Sequence, residues 1–255
     1  MPVSRPVALI TGAAHRIGKN IAETLHQRHL DIALHYNSSP DAAQQLCENL
    51  NRIRKNSCFA FQANLLQTEE LKTLVSQVYN RFSRIDYLVN NASIFYPTPI
   101  DKLIHHNEIS LKQFMNINFL APMRLSKLTL PYLRKNRGAI LNIVDIYAKA
   151  GLEKHVEYVA SKEALLCATR SFAEELAPEV RVNGISPGAI LWPESNCYVD
   201  AKECLNTQKK ILEKTALNRK GTPSDIGMTA AYLLLDASYT TGCTIAVDGG
   251  RQLYI

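Results

Sequence analysis

The 255-residue chain lacks any apolar run long enough to span a bilayer, which excludes a transmembrane helix. Met1-Pro-Val-Ser-Arg5 leads straight into a strand-like segment without a secretory apolar region, so a cytoplasmic protein is expected. Its six cysteines, Cys47, Cys58, Cys167, Cys197, Cys204 and Cys243, form no C-x-x-C pair. They read as reduced thiols, neither a disulfide frame nor a zinc site. His105-His106 has no partner at metal-ligand spacing, and no metal is expected. Charged residues make up only 20% of the chain, and its net +6 is spread along the length. The densest cluster, Arg52-Ile-Arg-Lys55, reads as a solvated helix end, so nucleic-acid binding is not expected. Internal repeats and low-complexity linkers are missing too. A single domain over 1–255 follows, with 46% apolar residues to fill its core.

What is present is a regular alternation. Short apolar runs at Val7–Ile10, Ile32–Tyr36, Cys58–Gln62, Ile85–Val89, Ala139–Val144, Val180–Ile185 and Thr244–Val247 read as strands. Helical stretches lie between them. The first runs to about His29; the second is capped by Ser39, with Pro40 as its first residue, and reaches about Lys55. Thr68 caps a helix over 69–82, and further helices lie near 108–136 and from His155 to Ala177, stopped by Pro178. Thr222-Pro-Ser-Asp225 is a capping box opening a helix to about Leu235. This order predicts an α/β fold, a doubly wound parallel sheet with helices on both faces. One irregular stretch, about 187–210, holds the single tryptophan and is expected to be the substrate loop over a pocket.

In such a fold, ligands sit at the carboxyl ends of the strands. The first turn, Thr11-Gly-Ala-Ala-His-Arg-Ile-Gly18, has Gly12 for the tight turn and Gly18 for close helix–sheet packing. His15, Arg16 and Ile17 open the helix, whose N-terminus would face a pyrophosphate. The second strand ends in His35-Tyr-Asn-Ser-Ser39, with no carboxylate before Asp41. Without an acid to repel a 2′-phosphate, and with Tyr36, Asn37, Ser38 and Ser39 as donors, NADPH is expected. Farther on, Tyr158 and Lys162 are four residues apart, on one helix face. A free phenol has a pKa near ~10, and a proton donor at neutral pH needs a shift of roughly 3 units, about 4 kcal/mol. An ammonium ~4 Å away supplies about that much at a surface-like dielectric, so Lys162 is expected to lower Tyr158.

These motifs, with Asn90-Asn-Ala92, Asn118, Ser186-Pro-Gly188 and Val247-Asp-Gly-Gly250, occur in the order found in short-chain dehydrogenases/reductases. The chain resembles that superfamily over nearly its whole length, and within it most resembles the pteridine reductases. Arg16 stands where most members have the middle glycine, and Asp145 where they have the catalytic serine, thirteen residues before Tyr158. Ser93-Ile-Phe95-Tyr-Pro97 follows the Asn-Asn-Ala run, as in pteridine reductases.

The resemblance implies a Rossmann architecture, a homotetramer and NADPH-dependent reduction of a dihydropterin or dihydrofolate-like substrate. Tyr158 would donate the proton, with Lys162 also on the nicotinamide ribose, Asn118 holding a water, and Asp145 bonded to Tyr158. Asn64, Leu65, Asn91, Ala92, Ser93, Pro187 and Gly188 would line the cofactor, Asn64 standing where aspartate is usual. Phe95 would stack on the pterin, and Ser93 and Arg16 would reach its polar edge or the cofactor phosphates. Leu191-Trp192-Pro193 would line the pocket mouth, a plain lid contact being an equal reading of Trp192. His15 would touch the 2′-phosphate or lie exposed in the loop. The rival readings are a carbonyl reductase, such as one for 3-oxoacyl thioesters, and a non-catalytic NADPH-binding regulator.

Overall fold

The computed structural model describes residues 5–103, 109–192 and 201–255. Among them, seven strands pair in parallel as one sheet: β1 Val7–Ile10, β2 Asp31–Tyr36, β3 Cys58–Gln62, β4 Tyr87–Asn90, β5 Ala139–Ile143, β6 Arg181–Pro187 and β7 Thr244–Val247. Their spatial order is β3-β2-β1-β4-β5-β6-β7. The chain winds outward from β1 to β3, then crosses back to begin β4 on the other side of β1. The reversal opens a crevice at the carboxyl ends of β1 and β4, where such folds take their ligands. This is the Rossmann-like α/β fold read from the alternation.

Period-two side-chain alternation divides each strand between two cores. Ala8 and Ile10 of β1 pack with α1 (Arg16–Gln27), α2 (Pro40–Ile53) and α9 (Pro223–Ala231). Val7 and Leu9 face α3 (Thr68–Phe82), α6 (Ala121–Asn136) and α7 (Val156–Glu175) on the opposite side. A short α4 (Ile100–Leu103) and α5 (Ile109–Met115) precede α6, and α8 (Ala201–Glu213) precedes α9. No helix among the described residues is long and apolar enough to cross a membrane.

Three local expectations need correction. Thr68 is the first residue of α3, and no side chain caps that helix. The acids of its first turn act there instead: Glu70 Oε2 accepts the Asn64 N–H at 2.6 Å. The predicted helix near 108–136 is interrupted by a π-helical turn at Asn116–Leu120, which re-aims the chain around Asn118. The stretch 187–210 is only partly irregular, because α8 fills its second half. Residues 201–213 contain no glycine or proline, and the less exposed positions 208, 211, 212 and 215 recur at helical spacing. Residues 193–200, with Pro193, lie outside the described residues, as do His105 and His106.

Two caps read from sequence are in position. Ser39 precedes Pro40 at the start of α2, although its hydroxyl makes no capping bond. Asp225 Oδ2 accepts the Thr222 N–H at 2.7 Å and its hydroxyl at 3.0 Å.

Candidate active site

The first βα turn is built around a histidine. Gly12 has φ +62, a left-handed conformation open to a residue without Cβ. Its N–H donates to His35 Nδ1 at 3.1 Å, while His35 Nε2 meets the Ala63 carbonyl at 3.0 Å. A carbonyl only accepts, so Nε2 carries the hydrogen and Nδ1 accepts. Burial holds this imidazole below its ordinary pKa, which suits the neutral tautomer. Arg16 retains φ +54, the conformation of the glycine it replaces, so the turn keeps its path while gaining a cation. A Cβ at Gly18 would lie 2.4 Å from the Gly12 carbonyl oxygen and 2.5 Å from Asn91 Nδ2. Only glycine fits there.

This cradle suits a dinucleotide. No side chain caps α1 and its first turn holds no acid, which suits its leading N–H groups and positive dipole end to an anionic ligand. His15 and Arg16 are exposed beside them and Ile17 is half-buried. Tyr36 ends β2 and Asn37, Ser38 and Ser39 follow it directly, the Asn37 carbonyl accepting from Gln62 at 3.0 Å. Asn64 Oδ1 accepts the Leu66 N–H at 3.0 Å, and Leu65 is buried in the second core. Across the crevice, the Gly188 N–H donates to Val247 O at 3.0 Å, next to buried Pro187.

The Asn90–Phe95 run is stapled to that turn. Thr11 Oγ1 accepts the N–H groups of Asn91 and Ala92, both at 3.0 Å. Asn91 Nδ2 donates to the carbonyls of Thr11 and Gly12 at 2.9 and 3.1 Å. Asn91 therefore shapes the cradle. Asn118, fully buried in the π turn, ties the next residues down: its Oδ1 accepts from Ile94 N–H at 2.9 Å and the Ser93 hydroxyl at 3.1 Å. Its Nδ2 donates to Ile94 O at 3.1 Å and Ser161 Oγ at 3.0 Å. Both amide hydrogens are thus directed to protein atoms, none toward Lys162.

At the end of β5, Asp145 stands opposite α7. The Tyr158 hydroxyl donates to Asp145 Oδ2 at 2.6 Å, and Asp145 Oδ1 accepts the Tyr147 N–H at 2.9 Å. Burial pushes the Asp145 carboxyl above the usual range, opposed by these bonds and by Lys162 and His155. Tyr158 is also raised well above 10, first by burial and then by the Asp145 charge. The expected lowering by Lys162 is absent. Lys162 Nζ donates to the Ile143 carbonyl at 2.9 Å and sits 5.9 Å from the Tyr158 ring centroid. Burial brings its own pKa down to about 8, with Asp145 pulling it back up. For Tyr158 desolvation wins over the pairwise attraction of Lys162, and the phenol holds its proton against Asp145.

Phe95 is half exposed and lies edge-on to Tyr158, 4.8 Å between centroids. One of its faces carries the His155 ring, 4.6 Å away and 9° from parallel. His155 is not marked by any motif; its only local signal is its place as the residue before α7, three positions ahead of Tyr158. Leu191 and Trp192 line a cleft of about 460 Å³ with Arg16 and Lys19, which places them at the mouth of α1. No group of metal-ligating side chains occurs among the described residues.

A family model described as enoyl-(acyl carrier protein) reductase matches residues 12–252. The chain is 33% identical to 3-oxoacyl-[acyl-carrier-protein] reductase FabG of Staphylococcus epidermidis over 249 residues, covering 96% of this chain and 98% of that protein. It is likewise 33% identical to pteridine reductase 1 of Leishmania tarentolae over 288 residues, covering 97% and 96%. Glucose 1-dehydrogenase 2 of Bacillus subtilis is 31% identical over 256 residues, covering 97% and 95%. The chain belongs to the short-chain dehydrogenase/reductase superfamily. It is an oxidoreductase of a family that works with NAD(P)(H). The particular resemblance to pteridine reductases is shared equally with FabG at this level of identity.

Proposed function

We propose that this protein is an NADPH-dependent reductase of pterins, converting a dihydropterin to its tetrahydro form. The reading rests above all on the 2.6 Å bond from Tyr158 to Asp145. Reducing a C=N bond adds a hydride to carbon and a proton to the neighbouring nitrogen. The nicotinamide supplies the hydride when bound. Tyr158 gives the proton to the ring nitrogen as it becomes basic, and Asp145 holds the phenol in line and shares that proton. A carboxylate suits a nitrogen that must be protonated. Beside the developing oxyanion of a ketone it would repel.

Phe95 supports the same reading: the face not covered by His155 is free to stack on a flat bicyclic ring, as one wall of a sandwich with the nicotinamide. Lys162, anchored on Ile143 O, would bind the nicotinamide ribose. Asn118 would hold a water linking Lys162 to solvent, and its side chain in addition ties down Ser93 and Ile94. NADPH over NADH is favoured by Tyr36–Ser39, which contains no carboxylate. Assembly as a homotetramer is proposed on family resemblance alone.

A second reading, reduction of a 3-oxoacyl thioester, is favoured by the FabG relatives at equal identity. One experiment separates them: oxidation of NADPH with dihydrobiopterin and with an acetoacetyl thioester, NADH in parallel and Tyr158→Phe as control. Turnover of the pterin that disappears in the variant supports the first reading. Turnover of the thioester alone sinks it.

A further inference from the structure

Cys47 on α2 and Cys58, the first residue of β3, bring their sulfurs to 3.0 Å, about 1 Å more than a disulfide bond. Eleven residues separate them in sequence, and the approach is held by a third side chain. Asn51, one helical turn beyond Cys47, accepts the N–H groups of Ser57 and Cys58 at 2.8 and 3.0 Å. Its Nδ2 donates to the Cys58 carbonyl at 2.8 Å. Three bonds from one amide thus tie α2 to the start of β3 beside the two sulfurs. Neither is exposed, at 5% and 1%, yet both line an open cleft of about 600 Å³ shared with Glu48, Asn51 and Arg52. Because β3 is the sheet's edge strand, this cleft opens to solvent.

We propose that Cys47 and Cys58 form a reversible disulfide, a redox modification site separate from the active site. Cys47 is the attacking thiol: the contact between the two sulfurs pulls its pKa down, while the same contact and burial push Cys58 up. With hydrogen peroxide as oxidant, the Cys47 sulfur attacks one peroxide oxygen and breaks the O–O bond, becoming a sulfenic acid and releasing one water. The Cys58 sulfur then displaces the hydroxyl from Cys47, forming the S–S bond and a second water. The two thiols lose two electrons and two protons together, and the peroxide is reduced to two waters. A dithiol reductant reverses the change. The link lies at the amino end of β3, whereas the dinucleotide cradle lies at the carboxyl ends of β1 and β4. The inference therefore stands whichever substrate the enzyme reduces.

The test is peptide mapping of the full-length protein after hydrogen peroxide treatment, quenching and alkylation under denaturing conditions. The expected result is one cross-linked species joining the Cys47 and Cys58 peptides, lighter by two hydrogens, lost on treatment with dithiothreitol. In Cys58→Ala, Cys47 should be trapped by dimedone as the sulfenic acid. The proposal is overturned if both thiols remain alkylatable at peroxide doses that oxidise exposed Cys167 and Cys243. It is overturned equally if wild-type Cys47 oxidises alone or pairs with another cysteine.

Discussion

Tyr158 donates to Asp145 across 2.6 Å although thirteen residues separate them, because β5 ends and α7 begins on the same side of the crevice. Tyr158 is buried and Asp145 half-buried, and both are pushed toward their protonated forms.

Tyr158→Phe keeps the ring that packs on Phe95 and removes the proton. Turnover should fall by roughly 10²- to 10⁴-fold, the usual range for a lost general acid. Binding of NADPH, followed by the fluorescence of the reduced nicotinamide, should change little. A variant that retains wild-type turnover would exclude Tyr158 as donor.

Asp145→Ser exchanges the carboxyl for a neutral hydroxyl that can grip a carbonyl oxygen. The ratio of kcat/KM for dihydrobiopterin to that for an acetoacetyl thioester should drop by at least ~10²-fold, equivalent to about 3 kcal/mol of transition-state preference. A ratio that stays constant would show that Asp145 does not select the substrate.

Phe95→Ala removes the stacking wall without touching the proton path. An aromatic pair is worth about 0.5–1.5 kcal/mol, so KM for the pterin should rise roughly 2- to 12-fold with kcat nearly retained. A large fall in kcat with unchanged KM would place Phe95 in the chemical step.

Gly18→Ala puts a methyl group into contact with the Gly12 carbonyl and Asn91, neither of which can withdraw. Overpacking of this kind costs about 1–3 kcal/mol, which urea unfolding should register as a lower midpoint. NADPH affinity should fall with it, since the cradle itself is displaced.

His26 carries a pH dependence. It is enclosed between α1 and Ser57, with Nε2 2.7 Å from the Ser57 hydroxyl, and burial with the nearby Arg54 cation lowers its pKa from 6.5 to about 4. As pH falls, the unfolded chain takes the proton first. The contribution to stability is full above 6.5 and is lost as pH falls toward about 4. Between about pH 7 and about pH 5 the wild-type midpoint should drop more than that of His26→Gln. Parallel curves would refute the assignment.

Much of the fold was legible because backbone geometry repeats locally. Cys58–Gln62 and Thr244–Val247 were bounded correctly from their apolar runs alone, and β6 ended only two residues later than read. Helix α8 is hidden in a stretch that the lone tryptophan marks as irregular, although its less exposed positions 208, 211 and 212 keep a helical spacing. The π turn at Asn116–Leu120 has no residue signature; it arises where α5 and the turn itself pack against α7 while α6 goes on to pack against α3.

The candidate site divides in the same way. Spacing alone put Tyr158 and Lys162 on one face of a helix, and the two glycines in the first turn. The Lys162 bond to Ile143, the His155 ring on Phe95, the His35 support of Gly12 and the meeting of Cys47 with Cys58 join residues brought near by strand order and helix docking. No local period encodes such contacts.

By itself the sequence determined the elements, their parallel winding and the identity of the groups at the crevice, because periodicity and turn chemistry are set by the backbone within a few residues. The tertiary structure decided how those groups behave. Lys162 stands one turn from Tyr158 as its spacing requires, yet the phenol is raised instead of lowered. The amount of water removed from Tyr158, Asp145 and Lys162 depends on every element packed around them, and in a buried site that desolvation outweighs the attraction of one neighbouring charge.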